Sequence, residues 1–198
     1  MGDWTDYTGA TRGLARAVAL LASVASVASA APVAYRVDPD VTVAEYTVTY
    51  LGVLRQRGRF ARTNGTVVVD FAAHAGRIDF QVDAQSVDSG WSVRDEFIRN
   101  DAMLATERHP SITFVSTHLA FADDRLVRID GRLSMRGVTR VVSLAVERFD
   151  CGTGADEAPA ECSADASATL HRSEFGMVAY GPVIGDLVTL DFAVVARR

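Results

Sequence analysis

The sequence predicts an all-β protein built from antiparallel strands. Three observations carry that expectation: rows of alternating apolar and polar residues recur from Tyr35 onward, short turn-forming clusters separate them, and one central segment changes to helical spacing. Period-two alternation marks strands with one dry and one wet face, the usual condition of antiparallel sheets. Several such strands joined by short turns close into a barrel or stack as a sandwich, and patterning alone does not separate the two.

The rows can be followed in order. In Glu45 to Tyr50 the apolar or aromatic positions are Tyr46, Val48 and Tyr50, with Glu45, Thr47 and Thr49 between them. Ile78, Phe80 and Val82 alternate with Arg77, Asp79, Gln81 and Asp83, and Ile112 and Phe114 with Ser111 and Thr113. Ala164, Ala166, Ala168 and Leu170 alternate with Ser163, Asp165, Ser167 and Thr169, and Val188, Leu190, Phe192 and Val194 form the last row. Turns are expected at Thr63-Asn64-Gly65, His74-Ala75-Gly76, Asp123-Asp124 and the Gly152 loop. From Ser92 to Leu104 the apolar residues Val93, Phe97, Ile98, Met103 and Leu104 recur at helical spacing. Ser92 is the expected N-cap, Asp95 and Glu96 stand in the first turn, and His109-Pro110 ends the excursion. The reading is one or two short helices covering one end of the sheet. The alanine row favours a hollow barrel, since small side chains on a dry face leave room for a guest. The alternative is that bulky neighbours such as Phe192 or Tyr50 fill the gap.

Composition narrows the function. Arg12 and Arg16 precede an apolar run from Ala17 to Val27, and Ala28-Ser29-Ala30 gives a small-x-small cleavage pattern. Residues 1–30 are therefore expected to be a signal peptide, with a single domain at 31–198 that is periplasmic or secreted. The apolar run is too short to span a bilayer, and the protein is not expected to be membrane-spanning. The net charge is −5, and an acidic chain without a basic stripe argues against nucleic acid as partner. All twenty basic residues are arginine, which excludes a lysine Schiff base or a phosphate-loop lysine. Cys151 and Cys162 bracket a loop-like G-T-G-A-D-E-A-P-A-E run and are expected to form a disulfide in an oxidising compartment.

Tests for chemistry nominate no catalytic residue. His74, His109, His118 and His171 lie in no metal-ligand spacing, Ser173 lies outside the G-x-S-x-G elbow, and no glycine-rich loop opens a helix. The expectation is a protein that is not an enzyme and uses no metal or cofactor.

Several motifs in order resemble the YceI-like family of extracytoplasmic proteins. They are Y-R-V-D from Tyr35 to Asp38, G-R-F from Gly58 to Phe60, and the R-D element Arg94-Asp95 followed by Arg99. P-S-I-T-F-V-S from Pro110 to Ser116 comes next. Then come G-R-L-S-M-R-G-V-T, Gly131 to Thr139, and R-S-E-F-G-M, Arg172 to Met177, with Gly185, Asp186 and Val188 closing the series. The resemblance covers nearly the whole chain after residue 30. It implies an up-and-down, lipocalin-like β-barrel of about eight strands that binds a polyisoprenoid lipid. The family's usual histidines are replaced here by Asp40, Tyr50 and Phe97, which makes the lining more apolar and suits a tail better than a charged head.

An eight-stranded barrel is about the size that holds one elongated ligand, and each buried CH₂ contributes about 0.8 kcal/mol. The inward candidates are Tyr46, Val48 and Tyr50 on the first long strand, Phe80, Ile112 and Phe114 on the middle ones, then Ile129, Leu133 and Leu144, and finally Ala166, Ala168, Leu190 and Phe192. Arg94, Asp95, Arg136 and Arg172 either make polar contacts at the barrel's mouth or serve structurally, capping a helix end or pairing across strands. The expected role is to sequester or carry a long-chain apolar lipid, isoprenoid or quinone-like, without chemistry. The alternatives are an interaction protein whose barrel is filled by its own side chains, and an enzyme acting on a small apolar substrate. The resemblance is compatible with paired barrels, a homodimer, without fixing the oligomeric state.

Overall fold

The computed structural model describes residue 2 and residues 32–123, 125–151 and 160–198. The leader expected at 1–30, Asp124 and most of the loop between the cysteines lie outside the described residues. The strands are β1 (Val33–Val37), β2 (Val43–Tyr50), β3 (Leu54–Phe60), β4 (Thr63–Asp70), β5 (Ala75–Asp83) and β6 (Val87–Asp88), then β7 (Ser111–Ala122), β8 (Arg125–Met135), β9 (Val138–Cys151), β10 (Glu161–His171) and β11 (Ile184–Arg197). One helix, α1 (Ser92–Arg99), separates β6 from β7.

Every strand pairing among the described residues is antiparallel. The order β1-β4-β5-β7-β8-β9-β10-β11 closes on itself where Arg36 meets Arg197 and Val37 meets Ala196, giving the eight-stranded barrel. The barrel branches at this seam. β11 is long enough to pair with β1 at its C-terminal end and with β2 over Ile184 to Ala193 on the same edge; β3 then adds to β2, and β6 to β3. Thr42 manages the hand-over. Its buried hydroxyl donates to the Val195 carbonyl at 3.3 Å and accepts from the Val195 amide at 3.2 Å, restoring the ladder where the chain bends from β1 into β2.

The alternating rows face as their pattern requires. Ala44, Tyr46 and Val48 are buried, as are Phe80 and Val82, and Ala166, Ala168 and Leu170. Three local expectations are corrected. Thr63-Asn64-Gly65 is not a turn but the start of β4, paired with Val82, Gln81 and Phe80. Gly65 is there for close approach, since a Cβ would lie 2.6 Å from the Asp79 carbonyl oxygen. The reversal expected at His74-Ala75-Gly76 lies earlier, at residues 71–74, with His74 in the left-handed region (φ 47°) and Ala75 and Gly76 already paired in β5. Trp91, not Ser92, is the α1 N-cap and makes no side-chain cap bond. Asp95 accepts instead from the Ser89 amide at 2.8 Å and its hydroxyl at 2.6 Å, tying the helix to the turn before it. Arg99 closes the other side, donating to the Gln85 and Val87 carbonyls at 3.0 and 2.9 Å. Cys151 and Cys162 stand opposite each other across β9 and β10 and form the expected disulfide.

Candidate functional site: a waisted apolar channel

The barrel is not filled by its own side chains. One cavity, at the end covered by α1, encloses about 1090 Å³, its open side included. It is lined by Tyr46, Val48 and Tyr50 of β2, by Ile98 of α1, and by Met103, Leu104 and Ile112 beyond it. Gln56, Arg57, Arg94 and Arg172 bring polar groups to its rim. A second cavity, of about 1000 Å³ with its open side included, lies toward the far end and is bounded by Val69, Ile129, Leu144, Ala164 and Ala166. Phe80, Phe114, Leu133, Leu190 and Phe192 line both. The two spaces are therefore neighbouring chambers sharing an aromatic waist, where Phe80 meets Phe192 edge-on at 5.8 Å.

All the inward candidates except Ala168 line one or both chambers; Ala168 is buried in the core without bordering either. Sequence reasoning missed Phe60, Met135 and Met177 in the mouth chamber and Phe121, Val142 and Phe149 in the far one. Phe60 was recoverable, because it alternates with Gly58. Gly58 itself faces inward so that the Tyr46 ring can lie on it; a Cβ would stand 2.3 Å from the Tyr46 hydroxyl oxygen. Burial pushes that phenol well above its ordinary pKa, with the Asp95 charge adding to the effect, so Tyr46 presents a neutral hydroxyl to the chamber.

The polar mouth candidates divide. Arg94 lines the chamber, its guanidinium 5.4 Å from the centre of the Trp91 ring. Arg172 borders the chamber but is 3% exposed and spends its donors on carbonyls: Gly185 at 3.0 Å, Ala179 and Ile184 at 2.9 Å, and Met177. It pins residues 177–185 to the barrel. Arg136 donates to the carbonyls of Asp101, at 3.0 Å, and Met103, holding the segment after α1. Asp95 is held by Ser89 as described above. The motif glycines are equally structural. Gly131 lets the Phe114 ring lie against β8, where a Cβ would come within 2.3 Å of it. Arg136 and Gly137, at φ 54° and 74°, form the β8–β9 turn.

One cluster resembles a catalytic triad in composition but not in wiring. Asp186 accepts from the Ser173 amide and hydroxyl, each at 2.9 Å, and lies 2.9 Å from His171 Nδ1. The serine hydroxyl is bonded to the carboxylate, so no base is poised on it. Chiefly the Ser173 amide, and then His171 and the Ser173 hydroxyl, hold the Asp186 carboxyl below the usual range. Among the described residues, no group of three His, Cys, Asp or Glu is placed to hold a metal ion.

The YceI-like domain family model matches residues 35–196. The chain belongs to the YceI-like family. A UPF0312 protein of Shewanella denitrificans is 33% identical over 113 residues, 57% of this chain and 58% of that protein. A UPF0312 protein of Pseudomonas aeruginosa is 28% identical over 147 residues, 72% and 75% of the two chains. The matches to the Shewanella and Azotobacter vinelandii relatives thus span less than two thirds of those proteins' length. Burkholderia cenocepacia BcnA superimposes with a TM-score of 0.66 at 22% identity, covering 80% of this YceI-like chain and 98% of BcnA. A polyisoprenoid binding domain from Saccharophagus degradans gives 0.64 at 19%, covering 82% and 97%. These likenesses show a shared YceI-like barrel.

Proposed function

We propose that this protein sequesters or carries a single long apolar lipid, polyisoprenoid or quinone-like, outside the cytoplasm and without chemical conversion. The observation that carries the reading is the pair of chambers joined at an aromatic waist, whose combined lining is almost wholly apolar. A chain threaded from mouth to far end buries many CH₂ groups at about 0.8 kcal/mol each. Tyr46, Tyr50, Arg57 and Arg94 are placed to receive a weakly polar head at the rim, and the far chamber accepts only tail. The inward residues named from the sequence, Ala168 excepted, are assigned to this site, and Arg136, Arg172 and Asp95 shape its mouth. The polyisoprenoid binding domain with the same fold supports the ligand class. The disulfide and the apolar N-terminal run support an extracytoplasmic location.

Native mass spectrometry, followed by organic extraction, tests the proposal. The expected result is a discrete added mass that extracts as a prenyl or quinone lipid, or uptake of added ubiquinone or polyprenol by delipidated protein. A clean apo mass with no uptake of either overturns it.

A further inference from the structure

The rim of the mouth is more apolar than a soluble surface requires. Leu51, Val53 and Leu54, at the tip of the β2–β3 hairpin, are 57–77% exposed. Val178, Tyr180 and Val183, on the loop held by Arg172, are 43–70% exposed, and Trp91 and Val93 at the start of α1 are each 58% exposed. The three segments form one rim. The Leu51 amide donates to the Val183 carbonyl at 2.8 Å, and Tyr180 packs edge-on against Phe97 of α1 at 5.1 Å. Two of the exposed side chains also sit in the left-handed backbone region, Leu51 at φ 50° and Tyr180 at φ 60°. Exposed turns normally give such positions to Gly, Asn or Asp. Exposure and strain together are unfavourable for folding, which points to a use outside the folded monomer.

Charge identifies the occupant. The net charge of −5 conceals a local basic stripe, which corrects the expectation drawn from composition. β3 runs L-R-Q-R-G-R-F, without an acidic residue. Arg59 is neutralised by Asp88 at 3.1 Å. Arg55 and Arg57, nearest the hairpin tip, are exposed and form no ion pair among the described residues. Arg94 adds a third cation beside Trp91, with Glu96 the exposed carboxylate on the same helix. Aliphatic tips, a Trp and a Tyr at the boundary, and arginines just behind them are the components of a surface that seats in a lipid head-group layer.

We infer that the mouth rim docks on an anionic bilayer, dipping the β2–β3 tip and the 178–183 loop among the head groups so that the channel opens toward the acyl region. The inference rests on the lipid-carrier reading and specifies the surface from which cargo enters. It predicts association with vesicles of phosphatidylcholine containing phosphatidylglycerol, weaker association with pure phosphatidylcholine, and weakening by salt. L51D/V53D is expected to reduce binding to the anionic vesicles at least about tenfold, and R55S/R57S about tenfold or more. V141D, at an equally exposed valine on β9 outside the three rim segments, should leave it unchanged. Sedimentation with vesicles reads the effect, and circular dichroism checks that each variant is folded. No association with either vesicle, or equal loss in V141D, overturns the inference. Ubiquinone uptake from ethanol, without vesicles, separates the two readings: uptake without vesicle binding removes docking alone, whereas vesicle binding without uptake removes the carrier reading alone.

Discussion

The two ends of this barrel are built by different means. At the far end the strands close on one another: β9 and β10 are joined by the disulfide, Arg148 meets Asp165 at 2.8 Å, and Arg197 meets Glu161 at 2.8 Å on the surface. The chamber behind them has a fully apolar lining apart from Ser163. At the mouth the sheet branches into β2 and β3, the ladder is interrupted between Ile184 and Val188, and backbone carbonyls left without strand partners are taken up by Arg136 and Arg172. The difference teaches that opening a barrel costs ladder bonds, and that here side-chain donors replace them.

The largest expected effect follows from that substitution of side chain for ladder. Arg172→Met leaves four carbonyls without their donor, two of those bonds being fully buried, and should destabilise by about 3 kcal/mol or more in urea unfolding. The corresponding change at the far end, Arg148→Met, removes an exposed ion pair and should cost less than about 1 kcal/mol. Equal costs would mean the mouth does not depend on its arginine. Next in size is the disulfide. C151A/C162A should lose up to about 3 kcal/mol, because the link restrains the unfolded chain. Cys162 borders the far chamber, but its change to alanine removes only one sulfur from the lining, so ubiquinone binding in the folded variant should change little. A large loss of binding at unchanged fold would show that the far end is coupled to the cargo.

The inner walls of both ends were legible in the sequence. Alternation alone oriented Ala166, Leu190 and Phe192, because a strand with one dry face leaves little choice of side. The small residues of that row left a hollow interior and a filled one both open, and Ala164 and Ala166 line the far cavity. At the mouth, alternation oriented Tyr46, Val48, Tyr50 and Ile112, but the motif words there concealed their work. G-R-L-S-M-R-G-V-T encodes a seat for the Phe114 ring, a left-handed turn and a guanidinium aimed at carbonyls more than thirty residues away. Such contacts have no periodicity. The Thr63-Asn64-Gly65 turn was misplaced for a related reason: glycine needed for close approach inside a strand has the same letter as glycine needed for reversal. The rim was missed because a net charge averages Arg55 and Arg57 against acids elsewhere.

A third change sharpens the comparison by closing one chamber only. Ala166→Phe projects a ring into the far cavity from β10, opposite Phe192. It fills existing space, so stability should change by less than about 1.5 kcal/mol. Each CH₂ it displaces removes about 0.8 kcal/mol of tail burial, so affinity for long-tailed quinones should fall tenfold or more while a short-tailed quinone binds as before. Competition between ubiquinones of different tail length measures the ratio. Equal loss for both lengths would mean that cargo does not pass the Phe80, Phe114 and Phe192 waist.

The smallest effect is a pH dependence confined to the mouth. Asp186 is held below its ordinary value of 3.8, chiefly by the Ser173 amide and then by His171 and the Ser173 hydroxyl. A carboxyl whose pKa is depressed on folding contributes stability that is fully present above 3.8. That contribution is lost as pH falls below 3.8 and through the lower folded value, because the unfolded chain takes up its proton first. The group is solvent-exposed, so the contribution is modest. The urea midpoint of the parent protein should therefore exceed that of Asp186→Asn at pH 5 and approach it as the pH is lowered past 3.8. Asp130, on β8, is likewise depressed, first by the Ser143 hydroxyl and then by Arg128, so Asp130→Asn serves as the control on the barrel wall. If both variants shift the midpoint alike but only Asp186→Asn alters quinone uptake, the carboxylate of the R-S-E-F-G-M turn positions the 177–185 loop at the entrance. If neither alters uptake, the Asp186 carboxylate plays no part in placing the loop.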